Sequence, residues 1–219
     1  MSFVGGVGYS NIDLIYSGLD RLPDKGEEIF ARGFSMQFGG GIPATMINLS
    51  RLGVESRIIT FAGHDLFSEF VKKTLNSYPV KTVNLYKGNK MPVVLSSTLL
   101  YCGDRSFISY TDGMDLNDAV MDEVYENLKG AYVVDMHVGF LDVYKRLKKD
   151  GCIQIFDTGW EDDLTFEKYK DYLEIADYYI PNQKEAMKIT GTSSVEEAAD
   201  ILSEFFSDVT IKMDKEGCL

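Results

Sequence analysis

Cysteine and histidine are both scarce in this sequence. The three cysteines, Cys102, Cys152 and Cys218, are far apart and form no CxxC pair, so the sequence indicates neither a disulfide framework nor a cysteine-based zinc site. The two histidines, His64 and His137, are also widely separated. Reduced thiols and the absence of a histidine-based metal site are therefore expected.

Long apolar runs and basic clusters are missing as well. No run approaches the roughly 18 apolar residues that a membrane span requires, and the first residues, MSFVGGVGYSNIDL, lack a basic segment followed by an apolar one. The 34 acidic residues outnumber the 22 basic ones, giving a net charge of −12. Nucleic acid and anionic membrane are therefore poor partners, and the expected location is the cytoplasm.

Short apolar runs alternate with segments of helical period along most of the chain. The predicted strands are 2–8, 56–61, 131–136, 152–156 and 176–180, and the predicted helices are 43–52, 65–76, 118–129 and one through Leu141, Tyr144 and Leu147. This alternation is typical of βαβ units, and continuous apolar strands suit a parallel sheet that is covered on both faces. We therefore predict one α/β domain over residues 1–219, with a doubly wound, mainly parallel sheet flanked by helices.

Two segments interrupt this alternation, at about 14–38 and 91–110. The second contains VVLSSTLLY and RSFISY around the turn residues Cys102, Gly103 and Asp104, which predicts a hairpin and extra strands outside the main sheet. Such segments serve either as lids and dimerising flaps or as plain surface insertions, and both interpretations stay open at this point. We refer to them as the lid segments.

The glycine-rich start of the chain does not form a dinucleotide-binding fingerprint. Gly6 and Gly8 fit the first two positions of G-x-G-x-x-G, but Asn11 occupies the third, and the sequence contains no G-x-x-x-x-G-K-[ST] loop. An NAD-dependent oxidoreductase is therefore disfavoured and a Walker-type NTPase is excluded.

Asn11 and Asp13 follow the first predicted strand. In an extended segment their side chains point to the same side, where a carboxylate can accept hydrogen bonds from the hydroxyls of a polyol. An Asx turn at the strand end explains them equally well. The three glycines Gly39, Gly40 and Gly41 likewise give either close access for a polyol or only a flexible turn into a helix.

Polar residues also follow the later predicted strands. Asn182 and Glu185 have the spacing of a helix capping box. Asp157 either faces a site or holds a turn, while His137 fits a partly buried loop residue and Lys212 an ordinary lysine at a strand end.

Several motifs in sequence order resemble the ribokinase-like (PfkB) family of carbohydrate kinases, and the resemblance covers essentially the whole chain. They are Asn11-x-Asp13, the Pro23/Gly26/Glu27 segment, the Gly39 to Gly41 turn with a helix ending Arg51-Leu52-Gly53, Gly63-His64-Asp65-x-Phe67, Gly103-Asp104-Arg105-Ser106-Phe107 and Asn182-x-x-Glu185. The resemblance implies transfer of the γ-phosphoryl group of ATP to a hydroxyl of a small sugar, with Mg²⁺ spanning the phosphates. It also implies lid segments that close over the sugar and pair two subunits.

The same resemblance implies roles for the candidate residues. The sugar would be bound by Asn11, Asp13, Gly39, Gly40, Gly41, His137 and Asp157. The nucleotide would be bound by Asn182, Glu185 and Lys212, with Glu185 organising Mg²⁺ through water.

The sequence departs from the family pattern in three places. Ala44 and Thr45 stand where the family commonly has a sugar-binding Asn, and Lys212 and Asp214 replace a Thr and a Gly of the ATP-binding turn. The GAGD segment that carries the catalytic base is absent, so we expect a C-terminally incomplete and inactive kinase. Two alternatives stay open, namely a non-catalytic sugar-binding or regulatory protein on the kinase fold and a nucleoside kinase of the same superfamily.

Overall fold

A computed structural model describes residues 2–219 of the chain. The strands are β1 (Phe3–Val7), β2 (Asn11–Ser17), β3 (Gly33–Gly39), β4 (Ser56–Thr60), β5 (Lys81–Asn84), β6 (Val94–Tyr101), β7 (Asp104–Tyr110), β8 (Ala131–Met136), β9 (Ile153–Phe156) and β10 (Tyr178–Tyr179). The helices are α1 (Gly41–Arg51), α2 (Leu66–Asn76), α3 (Asp118–Leu128), α4 (Leu141–Lys149), α5 (Phe166–Ile175), α6 (Gln183–Thr190) and α7 (Val195–Leu202), followed by a 3₁₀ turn at Asp214–Glu216.

The chain divides into two compact units. One unit contains β1 and the segment Asn117–Leu219, and the other unit is Gly8–Leu116. We call them the β1 unit and the β2 unit. Among residues 2–219, no helix is both long and apolar enough to cross a membrane.

The β1 unit is built on four parallel strands in the order β10-β9-β8-β1. The aromatic ring of Phe156 packs between those of Tyr169, Tyr172 and Tyr179, with centroid separations of 5.2–6.0 Å. Because the strands are parallel, their carboxyl ends meet at one edge of the sheet. The segments after β8, β9 and β10, which carry His137, Asp157 and Asn182, therefore begin at that edge.

The β2 unit contains the parallel pair β4 and β5 together with a mixed sheet in the order β3-β2-β6-β7. Within the mixed sheet, β2 is antiparallel to β3 and parallel to β6, and β6 is antiparallel to β7. The turn between β6 and β7 has positive φ at Cys102 (50°) and Gly103 (80°), which is the backbone geometry of a tight hairpin. The hairpin and extra strands predicted for the lid segments are confirmed.

The mixed sheet has one polar and one apolar face, because side chains alternate along each strand. The polar face carries Asn11 and Asp13 of β2, Ser35 and Gln37 of β3, Ser96 and Thr98 of β6, and Arg105 and Ser109 of β7. The apolar face carries Leu14 and Tyr16 of β2, Phe34 and Met36 of β3, Leu99 of β6, and Ile108 and Tyr110 of β7.

The predicted α/β class with a mainly parallel sheet flanked by helices is confirmed, as are most of the predicted elements. The elements absent from the prediction include β5, with the short and partly polar sequence KTVN, and α5, whose sequence FEKYKDYLEI is dense in aromatic and charged residues. The strand predicted at 176–180 is reduced to Tyr178–Tyr179.

Candidate functional site

A hydrogen-bonded network joins polar residues of β2, β6 and β7 on the polar face of the mixed sheet. The amide Nδ2 of Asn11 donates to Oδ1 of Asp13 at 2.9 Å, and Oγ of Ser96 donates to Oδ1 of Asn11 at 3.3 Å. The hydroxyls of Ser96 and Ser109 lie 2.8 Å apart. The orientation of the Asn11 amide is therefore fixed by its two partners. We call Asn11, Asp13, Gly39, Ser96 and Ser109 the Asp13 cluster.

The second carboxylate oxygen of Asp13 lies against the end of β3. A Cβ atom at Gly39 would be 2.7 Å from Oδ2 of Asp13, so only glycine leaves room for the carboxylate there. Burial raises the pKa of Asp13, and this is opposed by the charge of Arg105 and by the hydrogen bond from Asn11. Asp13 is thus a partly desolvated hydrogen-bond acceptor held in a defined position.

The glycine turn opens α1 without a side-chain cap. Gly40 is the N-cap residue with φ 102°, and a Cβ atom there would lie 2.9 Å from the carbonyl oxygen of Tyr9. Gly41 has open space where a Cβ would project. Because no side chain caps α1, its first amides and the positive end of its dipole can receive an oxygen atom of a ligand.

A second cluster lies in the β1 unit and consists of Asp157, Asn182, Glu185 and Lys212, which we call the Asp157 cluster. Nζ of Lys212 donates to Oδ2 of Asp157 at 2.5 Å. The backbone N–H of Lys212 donates to the carbonyl of Pro181, and its carbonyl accepts from the N–H of Gln183, both at 2.9 Å. These bonds place Lys212 beside the first turn of α6.

Asn182 and Glu185 form a complete capping box at the start of α6. Oδ1 of Asn182 accepts from the N–H of Glu185 at 3.0 Å, and Oε2 of Glu185 accepts from the N–H of Asn182 at 2.8 Å. Glu185 is only 4% exposed, and burial raises its pKa. The hydrogen bond from the backbone N–H of Asn182 lowers the pKa of Glu185 in part. The charge of Asp157 raises this pKa further, and the charge of Lys212 lowers it. The capping box predicted from the sequence is confirmed. Capping does not exclude a role for the same two residues in binding Mg²⁺ and ATP.

The donor set of the Asp157 cluster suits a divalent cation that is held through water. Oδ1 of Asp157 is buried and has no hydrogen-bond partner among residues 2–219. In the same described range, no three His, Cys, Asp or Glu side chains converge to hold a metal directly. Two carboxylates, one of which has a buried oxygen without a hydrogen-bond partner, fit Mg²⁺, which retains several of its waters and completes its shell with phosphate oxygens.

His137 lies on a tightly held loop between β8 and α4. Its backbone N–H donates to the hydroxyl of Tyr144, and the N–H of Gly139 donates to the hydroxyl of Tyr172, both at 2.8 Å. Ring nitrogen Nδ1 lies 2.8 Å from the carbonyl oxygen of Val138. Burial lowers the pKa of His137, which favours the neutral ring. This geometry agrees with a half-buried loop histidine.

The structure therefore groups the predicted site residues by unit. Asn11, Asp13 and Gly39 lie together in the β2 unit, with Gly40 and Gly41 at the adjacent helix start. Asp157, Asn182, Glu185 and Lys212 lie together in the β1 unit.

Sequence reasoning missed the contributions of Ser96, Ser109 and Arg105. Their positions could have been predicted from the hairpin. When VVLSSTLLY pairs with RSFISY across the Cys102-Gly103 turn, Ser96 lies opposite Ser109, and Arg105 lies on the same face of the sheet.

The chain matches one family model over its whole length. Residues 1–219 match the model described as pfkB family carbohydrate kinase. A 92-residue stretch is 35% identical to PH1459 of Pyrococcus horikoshii, a protein assigned as a sugar kinase. That stretch covers 40% of this chain, and the chain spans only 30% of the length of this relative.

Solved structures of ribokinases share the fold. The ribokinase of Giardia lamblia superposes with a TM-score of 0.81 at 18% identity, covering 99% of this chain and 70% of that chain. The ribokinase of Arabidopsis thaliana, complexed with ribose and ATP, superposes with a TM-score of 0.76 at 22% identity, covering 100% and 74%. At these identities the likeness establishes the ribokinase-like α/β fold predicted from the sequence.

Proposed function

Because this chain belongs to the pfkB family of carbohydrate kinases, we propose that it serves the transfer of the γ-phosphoryl group of ATP to a hydroxyl of a small sugar. Such a reaction needs a site that orients the sugar, groups that balance phosphate charge, and a base. We assign the first two requirements to separate clusters of this chain.

The Asp13 cluster is the observation that carries the proposal. Asp13 is a fixed acceptor whose second oxygen faces the gap left by Gly39, and two vicinal hydroxyls of a sugar can both donate to such a carboxylate. Asn11 orients this carboxylate, and Gly40 and Gly41 allow close approach to the start of α1. A partly desolvated carboxylate gains more from such hydrogen bonds than an exposed one.

We assign ATP and Mg²⁺ to the Asp157 cluster. Mg²⁺, when bound, neutralises charge on the transferring phosphates. Glu185 and Asp157 would hold its waters, Asn182 fixes the position of Glu185, and the Lys212 ammonium would contact a phosphate oxygen. We also propose His137 and Asp157 as sugar-binding residues of the β1 unit, where they directly follow the neighbouring parallel strands β8 and β9.

The catalytic base has no assigned residue in this chain. The aligned ribokinase structures extend beyond the region covered here, by about a quarter of their length in the Arabidopsis thaliana structure. We propose that the base belongs to that remaining part of the fold, so these 219 residues bind sugar but turn it over very slowly. Appreciable sugar phosphorylation by the 219 residues alone contradicts this part of the proposal.

Calorimetric titration with ribose and fructose, with and without Mg²⁺ and ATP, tests the binding proposal. Asp13→Asn removes the charged acceptor and is expected to weaken sugar binding at least tenfold while ATP binding is retained. Asp200→Asn, an exposed carboxylate on α7, is the matched control and should change neither. Failure to bind any sugar, or equal binding by wild type and Asp13→Asn, overturns the assignment of the Asp13 cluster.

The apolar face of the mixed sheet is our candidate for a dimer interface. Phe34 and Ile108 on this face are 62% and 71% exposed, and Met36 and Tyr110 are exposed beside them. These exposed apolar side chains belong to β3 and β7, the two outer strands of the sheet, and an apolar face of this kind suits a second copy of the same surface. Light scattering should give the mass of a dimer, and Ile108→Glu should give a monomer. A monomer for the wild type contradicts the proposal.

We also place this activity in the cytoplasm. ATP is available there, and Cys102, Cys152 and Cys218 are free thiols, as a reducing compartment maintains them.

A further inference from the structure

Lys212 and Asp157 are bonded to each other within the Asp157 cluster, with Nζ of Lys212 donating to Oδ2 of Asp157 at 2.5 Å. The charges of both side chains act on the buried carboxyl group of Glu185, so the pair lies at the centre of the cluster. The lysine charge repels a divalent cation that approaches the carboxylate, and the carboxylate charge repels a phosphate that approaches the ammonium group. Each of the two side chains therefore shields the other from its own ligand.

The ion pair leaves the carboxylate of Asp157 only partly satisfied. Its Oδ1 is buried and has no hydrogen-bond partner among residues 2–219, and a buried acceptor without a donor carries the full cost of its desolvation. The ammonium group of Lys212 is a point charge and lacks the fork with which an arginine reaches both oxygens of a carboxylate. A hydrated divalent cation, by contrast, offers several water donors at once. Asp157 therefore gains hydrogen bonds when such a cation replaces Lys212.

The exchange requires movement of side chains only. The backbone N–H of Lys212 donates to the carbonyl of Pro181, and its own carbonyl accepts from the N–H of Gln183, both at 2.9 Å. Asp157 directly follows β9, which is paired with β8 on one side and with β10 on the other. Both side chains of the ion pair are partly exposed, so solvent weakens the bond between them. Rotation of the lysine side chain therefore opens the pair while both main-chain positions stay in place.

A second ion pair of the β1 unit shows how a structural pair differs. Nζ of Lys148 donates to Oδ1 of Asp177 at 2.6 Å, and these side chains are exposed to a similar degree. Oδ2 of Asp177 accepts from the backbone N–H of Gln154 at 2.8 Å, so both oxygens of this carboxylate have donors. In the pair of Lys212 and Asp157 one oxygen has none, which is the feature of a site that still has room for a ligand.

We propose that the ion pair of Lys212 and Asp157 is an electrostatic latch, which makes the Asp157 cluster select the magnesium complex of ATP over the free cation and over free ATP. A cation alone displaces the ammonium group without offering it a new partner, and ATP alone displaces the carboxylate without offering it a cation. The complex supplies both partners, so one ion pair is exchanged for two. This inference rests on the proposed function, because it concerns the selectivity of the same nucleotide site.

Opposite effects of two variants on the free ligands test the latch. Mn²⁺, which takes the same oxygen ligands as Mg²⁺, serves as the free cation and is followed by electron paramagnetic resonance. ATP is titrated calorimetrically in buffer with EDTA and again with excess Mg²⁺. Lys212→Met should bind Mn²⁺ about threefold to tenfold more tightly than the wild type, and Asp157→Asn should bind metal-free ATP more tightly by a similar factor. Both variants should bind ATP with excess Mg²⁺ more weakly than the wild type.

Lys148→Met and Asp177→Asn are the matched controls, because they remove the same charges from an ion pair of similar exposure in the same unit. They should leave all three affinities unchanged. The gain in Mn²⁺ affinity from Lys212→Met should be largely lost when Asp157→Asn is also present, since the carboxylate that the first change uncovers is then missing. Melting curves verify that every variant is folded.

Two results would overturn the latch and leave the nucleotide site in place. One is a wild type that binds free Mn²⁺ as tightly as Lys212→Met and metal-free ATP as tightly as Asp157→Asn. The other is a gain of the same size in the matched controls, which would show that any loss of charge has this effect. Failure of the wild type to bind ATP even with excess Mg²⁺ overturns the assignment of ATP to this cluster, and the latch with it.

Discussion

Nζ of Lys212 and Oδ2 of Asp157 are joined by a 2.5 Å charged hydrogen bond. The bond ties the segment that follows α7 to the residue directly after β9. Both side chains are partly exposed, at 46% and 37%, so the pair is screened by solvent and contributes little to stability by itself. The charges of both partners also act on the pKa of the buried carboxyl group of Glu185.

Changing the charge of Lys212 should change the pKa of Glu185 in a predictable direction. Burial raises this pKa, and the Lys212 charge opposes the rise, so Lys212→Met should raise it further. Asp157→Asn should lower it, because the Asp157 charge adds to the rise. Carboxyl carbon shifts of Glu185 in a pH titration measure both effects, and Lys212→Arg, which keeps the charge, should leave the pKa close to that of the wild type.

The raised pKa of Glu185 also makes the free energy of unfolding depend on pH. A raised pKa means that native Glu185 binds its proton more strongly than the unfolded chain, so the free energy of unfolding falls as pH rises from the unfolded pKa, about 4.3, through the native one. Lys212→Met should extend this fall to higher pH, and Asp157→Asn should shorten it. Melting temperatures that follow the same pH profile in both variants would contradict the electrostatic coupling.

Two capping sites on consecutive helices separate the structural role of Asn182 from its proposed magnesium role. Asn182 caps α6 and Ser194 caps α7, where Oγ of Ser194 accepts from the N–H of Glu197 at 3.2 Å. Asn182→Ala and Ser194→Ala should each lower the free energy of unfolding by about 1 kcal/mol, because each loses a helix cap. Only Asn182→Ala should weaken binding of Mg²⁺ and ATP, since it also releases Glu185.

Thermal unfolding and titration of ATP in the presence of Mg²⁺ measure the two effects. Equal and unchanged ATP affinity in both variants would assign Asn182 to capping alone. A loss of affinity in Ser194→Ala as well would show that the measurement reports general destabilisation.

The sequence predicts the architecture well because its signals are local. Buried runs such as CIQIF and the glycine stops after helices define strands and helices within a few residues. The Asp13 cluster was only half predictable, since Asn11 and Asp13 are two residues apart but Ser96 is brought beside them by parallel pairing of β2 with β6. The hydrogen bond between Lys212 and Asp157 joins residues 55 positions apart, and a contact over such a separation cannot be predicted from a spacing in the sequence.

The three cysteines should differ in their reactivity. Burial, followed by the charges of Asp177 and Asp150, raises the pKa of the Cys152 thiol to about 11, whereas Cys102 and Cys218 are exposed. Since the thiolate is the reactive form, iodoacetamide at pH 8 should modify Cys102 and Cys218 and spare Cys152. Peptide mapping by mass spectrometry identifies the modified sites, and all three should react in denaturing urea. Modification of Cys152 at the rate of Cys102 in the native protein would contradict its burial.

Two glycines beside the Asp13 cluster should respond differently to the same substitution. Gly39→Ala places a Cβ atom 2.7 Å from Oδ2 of Asp13, so it should both lower the melting temperature and displace the carboxylate that binds sugar. Gly41→Ala meets no atom within 4 Å and replaces glycine in the first turn of α1, so stability should be unchanged or raised by up to about 1 kcal/mol. Its added methyl group should nevertheless weaken sugar binding, if the sugar approaches the backbone there as proposed.

Melting curves and sugar titrations on the two variants separate these effects. A stable Gly41→Ala protein with weakened sugar affinity supports close approach of the sugar to the start of α1. Unchanged affinity in that variant removes Gly41 from the site, and unchanged affinity in Gly39→Ala would remove the carboxylate of Asp13, because that carboxylate cannot keep its position beside an alanine.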